Sequence, residues 1–294
     1  MGTSASSNGP NGRVSFDPPW LNDIEIPQSI DEAQPDAQEE DEPGQSDDQT
    51  EPPPQGLVAP LRRFQHARRE LGNYARTGDH QSFQKAIGHY SRTGMGGARN
   101  AANRMRVSTR SAAALFGFLQ SSREGTDPAI NEWVTSLTSR NAGTGEVIEE
   151  IISRVAPNGG SIDETSCRES MAQAMEGLME KDPNVNLLNL EDDNIWTLIE
   201  SFLGYEAFSR LCLDIGQVFE NSTLSPRDRV ARMNEMHSYL EAEFCVQIEE
   251  LRKSNQNATS NQLQTILQSA LQNTFLVYEG HYEKSYMLSR VKIA

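Results

Sequence analysis

The chain has 294 residues and a formal net charge of −16, with 26 Lys or Arg against 42 Asp or Glu. This length allows one or two domains with a sizeable core. Three widely spaced cysteines, Cys167, Cys212 and Cys245, exclude a disulfide-built scaffold. No apolar run reaches the roughly 18 residues of a membrane span, so we expect a cytoplasmic protein with no membrane partner.

Charge is divided into three blocks along the chain. Residues 14–60 contain thirteen Asp or Glu and no Lys or Arg, whereas residues 61–110 contain eleven Lys or Arg and two acids. Residues 111–294 carry a net charge of −13. The basic block therefore lies between an acidic arm and an acidic body, and its expected partners are polyanions, acidic protein surfaces or the arm itself.

Residues 1–56 are predicted to form a disordered N-terminal arm, because their composition of Gly, Ser, Pro, Asp, Glu and Gln cannot bury enough apolar surface to fold. Residues 14–26, VSFDPPWLNDIEI, interrupt this composition and are typical of a docking peptide. Two acceptors stay open, the chain's own domain and another protein. The anchors of this docking segment are Phe16, Pro18, Pro19 and Trp20.

From residue 57 onward the hydrophobic period is helical, and no segment alternates as a strand does, so we predict an all-α fold of about seven to nine helices. Residues 57–125 are expected to form a basic helical subdomain and 126–294 an acidic helical bundle. The expected helices run from residue 61 to an RTGD break, then over about 79–90, 97–121, 127–140, 145–156, 162–181, 194–219, 225–251 and 260–280.

Some helix boundaries carry specific signals. Asp79 is a candidate N-cap, Ser161 with Glu164 matches a capping box, and Ser225 precedes a proline at the first helical position. The apolar stretch 194–219 indicates either one central buried helix or two helices hinged near Gly204. After Ser225, the apolar stripe that predicts the buried face begins at Val230.

Enzyme signatures are absent from the sequence. It contains no P-loop, GxSxG, HExxH or CxxC motif, and its five histidines are dispersed. We therefore predict a protein that is not an enzyme and that binds no metal or cofactor of its own. The stretch GMGGAR, flanked by Arg92 and containing Arg99, has two open interpretations, a phosphate-holding turn at a helix start and a plain turn between helices.

The basic block is the candidate binding face. Arg62, Arg69 and Arg76 recur every seventh residue of one predicted helix, away from its apolar stripe. Such a face can pair with carboxylates of a protein partner or with phosphates of a nucleic acid, or can simply be solvated. The remaining members of this predicted face are Arg92, Arg99, Arg106 and Arg110.

The N-terminal MGTSAS formally matches the myristoylation pattern, but anionic lipid would repel the acidic residues that follow. Removal of Met1 would expose the α-amine of Gly2, whose pKa of about 7.7–8.0 leaves a neutral, nucleophilic fraction near pH 7. The residues behind it, beginning with Thr3 and Ser4, are small enough to enter a narrow active-site tunnel. Gly2 is therefore a candidate modification site.

The start MGTSASSNGPNG, PPW at 18–20, LGNYARTGD and YSRTGMGGARNAANRM resemble the B component of the Qat bacterial antiphage system. The resemblance implies a complex with an ATPase, a QueC-like enzyme and a TatD-like nuclease. It implies that the QueC-like partner joins a 7-deazaguanine to Gly2 through an amide, with Thr3 and Ser4 as recognition residues. On this basis the chain is an adaptor and a protein substrate, and nucleic-acid binding by the basic face is the alternative.

Overall fold

The computed structural model describes residues 62–156, 160–220, 223–254 and 260–291. Over these ranges all regular structure is helical and no strand occurs, which confirms the predicted all-α class. The predicted N-terminal arm, residues 1–56, lies outside the described residues. The helices in these ranges are α1 (Gln65–Thr77), α2 (His80–His89), a π-helical turn (Tyr90–Met95), α3 (Ala98–Arg104), α4 (Arg106–Glu124), α5 (Pro128–Ser139), α6 (Thr144–Val155), α7 (Ile162–Lys181), α8 (Asp192–Ile215), α9 (Gln217–Glu220), α10 (Pro226–Ser254) and α11 (Ser260–Val291).

The three predicted N-terminal caps are confirmed. The Asp79 carboxylate accepts two backbone N–H groups at the start of α2. Ser161 and Glu164 form the reciprocal capping box at the start of α7, and the Ser225 hydroxyl accepts the backbone N–H of Asp228 at 3.1 Å. Each cap satisfies N–H groups that a helix leaves without an internal partner, so these starts are fixed by adjacent residues alone.

The continuity of two central elements was open to test. The expected helix 97–121 is interrupted at Met105, which lies outside helical geometry between α3 and α4. In contrast, α8 runs through Gly204 without a hinge. A Cβ on Gly204 would lie 3.1 Å from the Cβ of Glu241, so this glycine permits close packing of α8 on α10.

Helix α8 is the centre of the fold and packs against α4, α7 and α10, while α11 packs along α2, α3 and α4. Contacts therefore cross the predicted boundary at residue 125, and the buried side chains on both sides form one cluster. The division into a basic helical subdomain, 57–125, and an acidic helical bundle, 126–294, stays a prediction. The placement of Val230 on the buried stripe of α10 is wrong, since this side chain is 56% exposed.

Candidate binding surface

The predicted basic face lies at the surface of the helices it was assigned to. Six of its arginines are exposed and Arg106 is half-buried. Arg69 pairs with its neighbour Glu70 at 3.1 Å, and Arg76 donates to the Asn73 side chain at 3.0 Å. The exposed members are Arg62, Arg69, Arg76, Arg92, Arg99 and Arg110.

Three other arginines of the basic block are used inside the fold. Arg63 is 6% exposed, with its guanidinium 4.9 Å from the centre of the Phe64 ring. Arg68 Nη2 donates to the carbonyl oxygen of Asp214 at 2.9 Å, and Arg104 pairs with Asp163 at 3.0 Å. Part of the positive charge of residues 61–110 therefore stabilises contacts with α7 and α8 rather than a binding surface.

The glycine turn between the π-helical turn and α3 is built from backbone geometry. Gly96 and Gly97 have φ values of 81° and 116°, which residues other than glycine rarely adopt. The N–H of Gly97 donates to the carbonyl of Ser91 at 2.9 Å, and the Ser91 hydroxyl donates to Glu279 on α11 at 2.6 Å. These contacts support the interpretation of a plain turn that holds α3 against α11.

The point at which the arm joins the helices is fixed to α8. Phe64 is buried and stacks on Tyr90 with ring centres 5.6 Å apart. The Tyr90 hydroxyl donates to Asp214 Oδ2 at 2.9 Å, beside the Arg68 contact with the same residue. Burial raises the pKa of Asp214, so this carboxyl depends on the tyrosine and on the nearby arginines for its stabilisation.

The predicted modification and docking sites, Gly2, Thr3, Ser4, Phe16, Pro18, Pro19 and Trp20, lie outside the described residues. Across the described ranges, no helix is long and apolar enough to cross a membrane, and no group of three or more His, Cys, Asp or Glu side chains could hold a metal ion. The described part of the candidate binding surface therefore consists of the basic face and of the residues that directly follow the arm.

The cysteines, all within the described ranges, are not activated as nucleophiles. Burial raises the pKa of Cys167 to about 11, and the pKa values of Cys212 and Cys245 to about 12. A thiol reacts as its thiolate, so a raised pKa suppresses reactivity at neutral pH. Cys245 donates to the buried carboxyl of Glu200 at 2.8 Å, which keeps this thiol in a structural contact.

One comparison with known proteins gives a match. The model of the family described as Qat anti-phage system associated protein QatB matches residues 96–278, which is more than half of the chain. The match begins at the glycine turn and extends through the helices that pack around α8 into α11. No curated protein and no solved structure matches the chain.

Proposed function

This chain belongs to the family of the Qat anti-phage system associated protein QatB, and we propose that it acts in that system as adaptor and protein substrate, without catalysis of its own. A QueC-like partner conjugates the exposed N-terminal Gly2, with a 7-deazaguanine as the proposed group and with Thr3 and Ser4 as recognition residues. The helical domain holds the chain in a cytoplasmic complex with this enzyme, an ATPase and a TatD-like nuclease of the same system.

The observation that supports the proposal is the anchoring of the first described residues to the fold, far along the sequence from Gly2. Arg68 contacts Asp214 on α8, and Phe64 stacks on Tyr90, whose hydroxyl contacts the same aspartate. Gly2 lies sixty residues before Arg62 in the sequence. The sequence predicts that the arm is disordered, and a disordered chain of that length would have a root-mean-square span of about 40 Å. Gly2 can therefore enter the pocket of an enzyme bound beside the helical domain.

A substrate role is consistent with the state of the thiols and of the candidate metal ligands among the described residues. In the described ranges the thiols are held protonated by burial, and no three candidate metal ligands converge. A protein that serves as substrate needs only an accessible nucleophile and a surface for its enzyme. The neutral α-amine of Gly2 is such a nucleophile.

In the proposed reaction, the partner uses ATP to activate the carboxylate of 7-carboxy-7-deazaguanine. The lone pair of the neutral Gly2 amine attacks the carboxyl carbon and forms the new C–N bond. The activating phosphoryl-bearing group leaves with a carboxylate oxygen, and the nitrogen loses a proton to give the amide. Relative to the unmodified chain without Met1, the conjugate gains the mass of the acid less one water.

Variants at the second residue test the proposal by intact-protein mass spectrometry after co-expression with the QueC-like enzyme. Gly2→Leu should retain Met1 because a large second residue blocks its removal, and this variant should carry no adduct. Gly2→Ala keeps a free but more hindered amine and should show partial conjugation. Gly44→Leu, a matched glycine change within the N-terminal arm, should be conjugated to the same extent as the unaltered chain. An unaltered chain without adduct, beside an enzyme shown to be active, contradicts the proposal.

A second candidate function, nucleic-acid binding, is favoured by the exposed arginines of α3 and α4. Neither Arg99 nor Arg110 has an ion-pair partner among the residues that the structure describes, and the half-buried Arg106 also lacks one. Lys and Arg contacts to phosphates release counterions, so binding of this kind weakens steeply with salt.

Charge reversal distinguishes this candidate from a solvated face. The triple variant Arg99→Glu, Arg106→Glu, Arg110→Glu should lose DNA and RNA binding and show a shallower salt dependence, by about one unit of slope for each phosphate contact removed. Arg140→Glu, at an exposed arginine that directly follows α5, is the control. Negligible affinity of the unaltered chain for either nucleic acid at low salt excludes this function.

A further inference from the structure

An open groove of about 540 Å³ lies between the first turns of α7, the C-terminal half of α8 and the early part of α10. Its apolar lining comes from Ile162, Phe208, Leu213 and Met233, and Glu169 contributes an acidic side chain. Ile162 is 70% exposed and Leu213 is 45% exposed. A concave apolar site of this volume is typical of pockets that bind ligands.

Exposed apolar side chains concentrate at this groove. Of the five large hydrophobic side chains that are exposed among the described residues, Ile162 and Leu213 line it, and Val230 lies one helical turn before the lining residue Met233. The sequence period of α10 is that of a helix buried from Val230 onward, yet Val230 is 56% exposed. Exposed apolar side chains beside a groove indicate a candidate interaction site.

The arm joins the fold next to the groove. Arg68 contacts the carbonyl of Asp214 at 2.9 Å, and Asp214 directly follows the lining residue Leu213. Arg104 contacts Asp163 at 3.0 Å, which directly follows the lining residue Ile162. The first helices after the arm are therefore attached to the same two turns that form the rim of the groove.

We propose that residues 14–26 of the same chain occupy this groove and place Phe16 and Trp20 between α7, α8 and α10. Only 35 residues separate this docking segment from the first described residue, a length with a root-mean-square span of about 30–35 Å. A tether of this kind gives the segment an effective concentration in the millimolar range. Aromatic side chains are the groups that gain most from entry into an apolar groove.

Charge complementarity favours this occupant. Two arginines lie in the first turns of α10, Arg227 and Arg229, and neither has an ion-pair partner in the part of the chain that the structure describes. Arg229 Nε is buried, and no described residue accepts a hydrogen bond from it. The docking segment contains Asp17, Asp23 and Glu25 and no basic residue. A carboxylate placed beside Arg229 would satisfy this buried donor.

Docking would also define where Gly2 is presented, although it does not depend on conjugation of Gly2. With residues 14–26 in place, only residues 2–13 extend beyond the anchored segment. If the arm is disordered, as its sequence predicts, a stretch of twelve residues has a root-mean-square span of about 20 Å. The N-terminal amine is then offered close to the groove, on the face formed by α7, α8 and α10.

Photocrosslinking in the full-length chain tests the occupant directly. Trp20→p-benzoylphenylalanine keeps an aromatic side chain at the anchor position, and irradiation followed by peptide mass spectrometry identifies what it contacts. We expect intramolecular crosslinks to peptides that contain residues 160–169, 208–213 or 229–233. Gln45→p-benzoylphenylalanine, in the N-terminal arm but outside the docking segment, is the control and should give no preferred crosslink to these peptides.

A matched pair of leucine variants links the crosslink to the groove. Leu213→Asp should lower the crosslink yield roughly tenfold, because a carboxylate in an apolar contact is unfavourable. Leu276→Asp on α11 starts from a similar exposure, 47% against 45%, and should leave the yield unchanged. Both positions are exposed, so neither change removes a core side chain.

Mixing chains labelled with different nitrogen isotopes distinguishes the outcomes. Crosslinks within one chain that require Leu213 support the proposal. Crosslinks between chains assign the groove to a second copy and overturn it. Crosslinks confined to other surfaces, crosslinks that form only with a partner protein, or the absence of crosslinks overturn it as well. None of these results depends on whether Gly2 is conjugated.

Discussion

Replacing Arg210 by methionine should destabilise the fold through the charge that the change leaves behind. The Arg210 side chain is 3% exposed and its Nε donates to Glu206 Oε1 at 2.8 Å, while its other nitrogens contact Asp163. Glu206 is fully buried and would keep only the Ser166 hydroxyl, at 3.3 Å. Breaking a buried ion pair from one side costs about 3–5 kcal/mol, a large part of the roughly 5–15 kcal/mol that stabilises a typical domain.

Urea unfolding followed by far-ultraviolet circular dichroism measures this loss in free energy of unfolding. Arg140→Met is the matched control, because Arg140 also pairs with two carboxylates, Glu146 at 2.7 Å and Glu150 at 3.6 Å, but its side chain is 48% exposed. An exposed pair contributes about 0–1 kcal/mol, so the control should unfold at nearly the original urea concentration.

The double variant Arg210→Met, Glu206→Leu tests whether the unpaired charge is the cause. Replacing both members of a buried pair with apolar groups is often close to neutral, so the double variant should regain most of the stability lost by Arg210→Met alone. Equal losses for Arg210→Met and Arg140→Met would refute the reasoning. A double variant less stable than the single one would refute it as well.

Two further predictions concern the base of the arm and the adjacent helices. A Cβ on Gly94 would lie 2.5 Å from the Phe64 ring, so Gly94→Ala should displace this buried ring and cost about 1–3 kcal/mol. Gly72→Ala on α1, where nothing lies within 4 Å of a new Cβ, should instead be neutral or stabilise by up to about 1 kcal/mol, and thermal unfolding compares the two variants. Burial, and to a lesser extent the neighbouring His66, lowers the pKa of His89 from 6.5 to about 4. Between these two pH values the unfolded chain binds a proton that the folded chain excludes. This histidine therefore makes the free energy of unfolding fall as the pH decreases from about 6.5 to about 4. Urea titrations across this range should show a smaller decrease for His89→Phe, and the same decrease in both chains would contradict the assignment.

Features encoded by neighbouring residues were predictable from the sequence. The caps at Asp79, at Ser161 with Glu164 and at Ser225 are local hydrogen-bonding patterns, and all three helix starts are where the sequence predicts them. Six of the seven arginines of the predicted basic face also follow a local rule, since a charged side chain away from an apolar stripe faces solvent, whereas Arg106 is half-buried. Exposure was therefore predictable, but a ligand for the face was not.

Features that depend on distant residues were not predictable. Arg210 and Asp163 are 47 positions apart, and no spacing in the sequence indicates that they meet. Gly204 is typical of a hinge when it is considered alone, and only the approach of Glu241 on α10 shows why a glycine is needed in a continuous helix. Val230 fits the buried period of α10, but the position of α10 beside the groove leaves it exposed.

The most direct test of the proposed function is the mass of the first tryptic peptide from chain purified with the whole Qat system. Arg13 is the first cleavage site, so removal of Met1 gives a peptide of residues 2–13. We predict that this peptide carries the mass of the deazaguanine acid less one water, and that fragment ions containing Gly2 carry the whole increment. A peptide of unaltered mass, from cells in which the QueC-like enzyme is active, would contradict the proposal.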